Sequence, residues 1–214
     1  MMFEIPVAFR LYFRHERYRK MTPPTNVRTS PNDEGTQPPK SERRGSMNLA
    51  RPVASLPLRV ALVTPDIPQN TGNIARLCMA TGSELVLVRP LGFRLTDAQL
   101  LRAGMDYWKQ LSPLVLDDLE AFEHWTSDKR VWYLSAHGNR LWAEVAWRPG
   151  DVLVFGSEAE GLPRAVYEKA RDAGRLVTLP MIEGARCINV SAAASAVVYE
   201  ALRQINGWRP IPDE

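Results

Sequence analysis

Three stretches of this 214-residue chain set reactive or ligand-binding residue types at what read as strand-to-helix junctions. PDIPQNTGNIARL (65–77) carries Arg76 behind a loop stiffened by two prolines, with Asn70 or Thr71 able to cap the helix that follows. Gly72 and Asn73 would leave room at that helix start, where free backbone N–H groups favour a phosphate. VLVFGSEAEGLPRAV (152–166) holds Ser157, Glu158 and Glu160 between Gly156 and Gly161. Two glycines bracketing carboxylates imply a backbone that approaches a ligand while an acid fixes its orientation. Ser157 directly follows Gly156, so this is not the G-x-S-x-G elbow of a serine hydrolase. LPMIEGARCINVSAAASAVVYEA (179–201) runs past Gly184, Cys187, Asn189 and Ser191 into a helix whose first turns, Ser191 to Ser195, hold only small side chains. Small residues there suit either tight helix packing or the close approach of a ligand.

A further glycine loop, LSAHG (134–138), falls nearby in the pattern. Several loops that expose backbone N–H and C=O groups make a cradle for a flat, polar-edged ligand such as an adenine nucleoside. Leu134, Leu179, Met181 and Ile188 would sandwich its ring. No GxGxxG dinucleotide fingerprint is present.

The elements that position these residues alternate. Apolar β-type runs occur at 58–63, 84–89, 112–116, 131–136, 150–156 and 175–180. Between and after them lie helical patterns from about 71 to 81, 96 to 105, 117 to 125, 161 to 174 and 189 to 206. Such alternation predicts an α/β fold with a mostly parallel sheet and helices on both faces. Ligands of such folds gather at the carboxyl ends of the strands, where all three stretches fall.

Charge divides the chain in two. Residues 1–56 hold ten Lys and Arg against five Asp and Glu, and residues 57–214 hold seventeen against nineteen. The formal net charge of +3 therefore resides in the first part, and any nucleic-acid surface on the body must be a local patch. Composition from Thr22 to Pro57 is Pro, Ser, Thr, Asn, Gly and charge, which predicts a disordered basic N-terminal extension over 1–56 ahead of one domain over 57–210. Met47 is a candidate alternative start of translation. Cys78 and Cys187 are far apart, without CxxC or histidine companions, which argues against a zinc site or disulfide framework and for a reducing compartment. No apolar run is long enough for a membrane span. A cytoplasmic protein without metal is expected.

NTGNIARL, the FGSEAEGLP turn, and LPMIEGARCINVS followed by the last helix resemble the three signature blocks of the SPOUT methyltransferases, across about residues 58–207. RPLGFRLTDAQLLRAGMDYW (89–108), without an appended RNA-binding domain, is similar to the branch acting on the wobble nucleotide of tRNA. The resemblance implies a deep C-terminal trefoil knot, S-adenosylmethionine as cofactor, methylation of the ribose 2′-hydroxyl of C or U, tRNA as partner and a homodimer. It implies a cofactor pocket of Leu134, Gly156, Leu179 and Cys187, with Gly161, Met181 and Ile188 beside them. It makes Arg76, Glu158, Asn189 and Ser191 the catalytic group, and gives Tyr199 to the dimer or RNA contact, with Val197 and Val198 nearby; ordinary core of an amphipathic helix is the other reading of these three. Cys187 stands where relatives often carry serine, and a thiol is a weak donor. A knot would also explain the small residues: bulk at Ala192 or Ser195 would obstruct both the threaded loop and the cofactor. Two other outcomes of the same resemblance are methylation of ribosomal RNA and a catalytically silent, knotted RNA-binding protein. Phosphate contacts are expected from Arg89, Arg94 and Arg102.

Overall fold

The computed structural model describes residues 58–95 and 111–208, all within one compact unit, Leu49–Glu214. The N-terminal extension, the helix expected over 96–105 and Arg102 lie outside the described residues.

Among the described residues seven strands form one sheet: β1 (Leu58–Val63), β2 (Glu84–Val88), β3 (Leu114–Leu116), β4 (Val131–Leu134), β5 (Arg140–Leu141), β6 (Asp151–Phe155) and β7 (Leu176–Thr178). Their order is β3-β2-β1-β6-β4-β7-β5, and every pairing is parallel. Among the described residues four helices accompany them: α1 (Pro68–Thr81), α2 (Leu119–Thr126), α3 (Arg164–Asp172) and α4 (Val190–Ile205). The expected α/β architecture is thus present. The two-residue edge strand β5 and the 3-10 turn Trp142–Glu144 behind it have no counterpart in the periodicity, being too short to show one.

Apart from Arg59 and Asp151 near their starts, the central strands β1 and β6 are apolar throughout, because both faces of the sheet are covered. On one face Val60, Leu62, Leu85, Leu87, Leu153 and Phe155 pack with Ile74 and Leu77 of α1 and Val197, Val198, Ala201 and Leu202 of α4. On the other, Ala61, Val63, Val86, Val88, Val152 and Val154 pack with Phe122 of α2. Each fully buried Val, Leu or Phe contributes about 1.5–3 kcal/mol of transfer free energy. Val197 and Val198 have no exposed surface, so of the two roles the sequence left open for them, interface or helix core, they take the core one. α4 packs against α1 even though β7, the strand before it, lies three places from β1.

Helix α1 begins three residues earlier than its sequence pattern suggests. Pro68 occupies its first turn, where proline's fixed φ and missing N–H are no handicap. Ile67 is the N-cap, and the N–H groups of Asn70 and Thr71 both donate to its carbonyl. Neither Asn70 nor Thr71 is therefore the cap. Gly72 lies inside the helix and is buried, so the phosphate-binding helix start expected at Gly72 and Asn73 is absent. Among the described residues no helix is long and apolar enough to cross a membrane, and no group of three or more His, Cys, Asp or Glu could hold a metal ion.

Candidate active site

Because the sheet is parallel, the loops after β1, β4, β6 and β7 all emerge at one end, and there they enclose a single hollow of about 1050 Å³. Its apolar lining comes from Leu134, Phe155, Val177, Leu179, Met181, Ile188 and Ala193. Gly156, Glu158, Gly161, Cys187 and Asn189 line it as well, together with Ser135, Thr178 and Tyr167. Of the residues singled out in the sequence, Leu134, Gly156, Gly161, Leu179, Met181, Cys187, Ile188, Glu158 and Asn189 thus meet at one place.

The turn after β6 closes on itself. Ser157 and Gly161 exchange backbone hydrogen bonds of 2.9 and 3.0 Å, and the Glu160 N–H donates to Ser157 Oγ at 3.0 Å. Gly161 has φ +72°, the left-handed region that glycine enters without strain. A Cβ on Gly156 would stand 2.0 Å from the Gly161 carbonyl carbon. Glycine is required at 156 so that the turn can fold back over it. That differs from the sequence expectation, in which the space was left for a ligand.

A chain of polar contacts ties three strand ends together. Glu158 accepts two hydrogen bonds, from the Asp66 N–H at 2.8 Å and from Asn70 Nδ2 at 3.0 Å. Asn70, only 6% exposed, in turn accepts from Asn189 Nδ2 at 3.0 Å. Asn189 is the N-cap of α4: its Oδ1 accepts from the Ser191 N–H at 2.9 Å, the Ala192 N–H at 3.3 Å and Ser191 Oγ at 2.7 Å. The loops after β1, β6 and β7 are thereby held in one arrangement. Asn70 is the member that sequence reasoning missed, because an asparagine near a helix start reads as a cap. Its signal was its place in a proline-punctuated loop between two polar strand ends.

Other expected positions fall elsewhere. Arg76 is in the third turn of α1, exposed, and does not line the hollow. Ser191 sits behind Asn189. Ala192 is exposed, and the small residue against the hollow is Ala193, one position on. Ser195 Oγ donates back to the Ser191 carbonyl at 2.9 Å. Tyr199 is 51% exposed on the outer side of α4. Of the expected phosphate contacts, Arg89 is 3.6 Å from Asp117. The two cysteines differ: burial pushes the Cys78 thiol up to about 12, which leaves it inert, whereas Cys187 is exposed in the wall of the hollow.

The SpoU rRNA Methylase family model matches residues 57–199, a span that contains every loop just described. The chain belongs to this family. A tRNA (cytidine(34)-2'-O)-methyltransferase from Saccharophagus degradans is 42% identical over 146 residues, covering 68% of this chain and 94% of the relative. One from Escherichia coli (strain K12) is 39% identical over 148 residues, covering 69% and 94%. Among solved structures, one obtained to explain the 2-OH methylation of C/U34 on tRNA superimposes with a TM-score of 0.64. It is 39% identical and is matched over 70% of this chain and 97% of that one. An AdoMet-bound rRNA methyltransferase from Sinorhizobium meliloti gives a TM-score of 0.59 at 26% identity, with 71% and 57% coverage. For a family of methyltransferases, the apolar hollow with a knitted polar rim is the part of the molecule to examine for the methyl donor.

Proposed function

We propose that this protein is an S-adenosylmethionine-dependent methyltransferase that modifies the ribose 2′-hydroxyl of the wobble C or U of tRNA. The observation that carries the reading is the convergence of the loops after β4, β6 and β7 on one hollow, in a chain that covers 94% of relatives named for that reaction. The lining suits the donor. Leu134, Leu179, Met181 and Ile188 offer apolar surface to an adenine ring, while Gly156, Gly161 and Cys187 present backbone to its polar edge. S-adenosylmethionine, when bound there, supplies an electrophilic methyl group.

The chain's own residues do the rest. Glu158, Asn189 and Ser191 act by position, holding the hollow's wall through Asn70 and the α4 cap. Arg76 is assigned to the ribose and its adjacent phosphate, where a guanidinium orients the hydroxyl and stabilises the charge developing on its oxygen. A guanidinium keeps its own proton, so the hydroxyl proton leaves to phosphate or water. Since Arg76 does not line the hollow of its own chain, its role is best served in a homodimer, where a second subunit brings it to the bound nucleotide. The exposed side of α4, with Ala192, Ala196 and Tyr199, supports such a pairing. Tyr199 is given to the dimer or RNA contact. The return of the chain from β7 past the 156–161 turn to α1 supports a trefoil knot, and a tRNA substrate supports a cytoplasmic location.

Mass spectrometry of tRNA nucleosides from cells with and without the gene tests the proposal. Loss of 2′-O-methylcytidine or 2′-O-methyluridine at the first anticodon base is expected on deletion. An unchanged wobble nucleotide with a loss in ribosomal RNA would overturn the assignment.

A further inference from the structure

The amino-terminal ends of four strands gather arginines. Arg130 immediately precedes β4, Arg175 immediately precedes β7, Arg140 opens β5, and Arg148 lies just ahead of Asp151, the first residue of β6. Arg130 and Arg148, beside Asp151, lie at the end opposite the loops that enclose the hollow, Arg175 is level with Trp132, and Arg140 on the staggered strand β5 is in register with Val177 and so with Leu134.

Three of the four converge on one indole. The guanidinium carbons of Arg175, Arg130 and Arg140 stand 4.6, 5.1 and 5.5 Å from the ring centroid of Trp132. Trp132 is 3% exposed and packs edge-on against Trp147 at 6.0 Å between ring centroids, so the platform under these cations is rigid. Asp151, 1% exposed, is the one described carboxylate at ion-pair distance, 3.5 Å from Arg130, and its second contact is the Arg148 N–H at 2.9 Å. Arg140, Arg148 and Arg175 have no ion pair among the described residues, although three of the guanidiniums share one ring and Arg130 feels the like charges of Arg148 and Arg175. Four guanidiniums against one shared, buried carboxylate leave a fixed positive surplus on a body whose overall charge is slightly acidic.

Stacking on the indole pre-organises planar, forked donors, the geometry that reads phosphate oxygens in pairs. Arg140 and Arg148 are exposed, and Arg140 sits on β5, the edge strand of the described sheet. From Arg130 to Leu134, which lines the hollow, is the length of β4, roughly 13 Å or about four nucleotides of a stacked strand. One ribose in the hollow offers few phosphates, yet phosphate contacts supply most of the affinity of a nucleic-acid complex.

We infer that Arg130, Arg140, Arg148 and Arg175 form a docking site for the phosphate backbone of the RNA stem that flanks the nucleotide in the hollow. This inference rests on the proposed tRNA substrate.

The test uses the full-length protein, S-adenosylhomocysteine and an unmodified tRNA transcript, with binding measured across a salt series. Arg140→Ala/Arg148→Ala removes the two exposed members, of which Arg140 covers one face of Trp132 and neither holds an ion pair among the described residues. Each lost phosphate contact lowers the slope of log affinity against log salt by about 0.7–0.9, so a fall of about 1.5 is expected. Calorimetry should show S-adenosylhomocysteine binding unchanged, the melting temperature should hold, and Arg140→Lys/Arg148→Lys should restore most of the slope. A seven-nucleotide anticodon-loop RNA, lacking the stem, should bind the double alanine variant as well as it binds the wild type. A wild-type slope in the alanine variant, or equal weakening of the stemless RNA, would overturn the docking site while leaving the methyltransferase reading intact. A wild-type protein that binds no tRNA at any salt would overturn that reading itself.

Discussion

The two ends of the sheet are built on opposite plans. At the carboxyl end the loop from 182 to 189 is exposed at every residue, and Ile182 is 84% exposed. What order exists there comes from hydrogen bonds among Glu158, Asn70 and Asn189. At the amino end Trp132 and Trp147 are buried against each other, and Asp151 is buried beneath arginines. Stability is concentrated at one end, which leaves the other open for a ligand to complete. Substitutions at the two ends should therefore separate binding and turnover from folding.

The largest effect is expected on the open side. Arg76→Ala should lower methyl transfer at least about 100-fold, the loss typical of removing one donor that stabilises a developing charge. S-adenosylhomocysteine affinity by calorimetry and the melting temperature should stay as in the wild type, because Arg76 does not line the hollow. Near-normal turnover would remove the role given to Arg76. A parallel loss of cofactor binding would break the separation between the outer face of α1 and the hollow.

At the buried end the expected loss is of folding free energy. Asp151→Ala orphans the Arg148 N–H and leaves Arg130 without its counter-charge, costing about 2 kcal/mol by urea unfolding with cofactor affinity unchanged. Asp151→Asn should cost less, since it retains an acceptor for the Arg148 N–H. Burial holds the Asp151 carboxyl above the usual aspartate range, and the Arg148 N–H and the Arg130 guanidinium offset this only in part. Its native pKa is then the higher one, so the stability it contributes is complete below the unfolded value and is lost as pH rises through the native value. Wild-type stability should fall with rising pH in the acidic window just above the ordinary aspartate pKa, by an amount that Asp151→Asn abolishes. A wild-type curve that rises through that window more steeply than the Asn variant's would reverse the sign and refute the assignment.

Much of the open end was legible because parallel strands announce themselves as apolar runs, and glycine-bearing loops after them mark the carboxyl ends. Leu134, Gly156, Leu179, Met181 and Cys187 could be placed around one hollow on that basis together with the family resemblance. Asn70 was not legible. Pro68 moved the helix start by three residues, turning an apparent cap into a buried cross-link to residues 88 and 119 positions away. Ala193 in place of Ala192, and Val197 and Val198 as core, depended on the helical phase of α4, which only its packing on α1 decides. The arginines around Trp132 are scattered over residues 130–175 and become neighbours only through the strand order, in which β4 lies between β6 and β7.

The smallest effect returns to the open end, where it tests whether the turn after β6 is held by conformation or by contact. Nothing lies within 4 Å of where a Cβ would stand on Gly161, so Gly161→Ala meets no clash and suffers only the cost of φ +72° for an alanine, about 1 kcal/mol. Asparagine tolerates that region better, so Gly161→Asn should lose only part as much. Both variants should keep the Ser157–Gly161 hydrogen bonds, which involve backbone alone, and should bind S-adenosylhomocysteine nearly as well as the wild type. Equal losses for alanine and asparagine would mean that the added side chain, and not the backbone angle, disturbs the turn. The wall of the hollow would then be less open at Gly161 than its empty surroundings indicate.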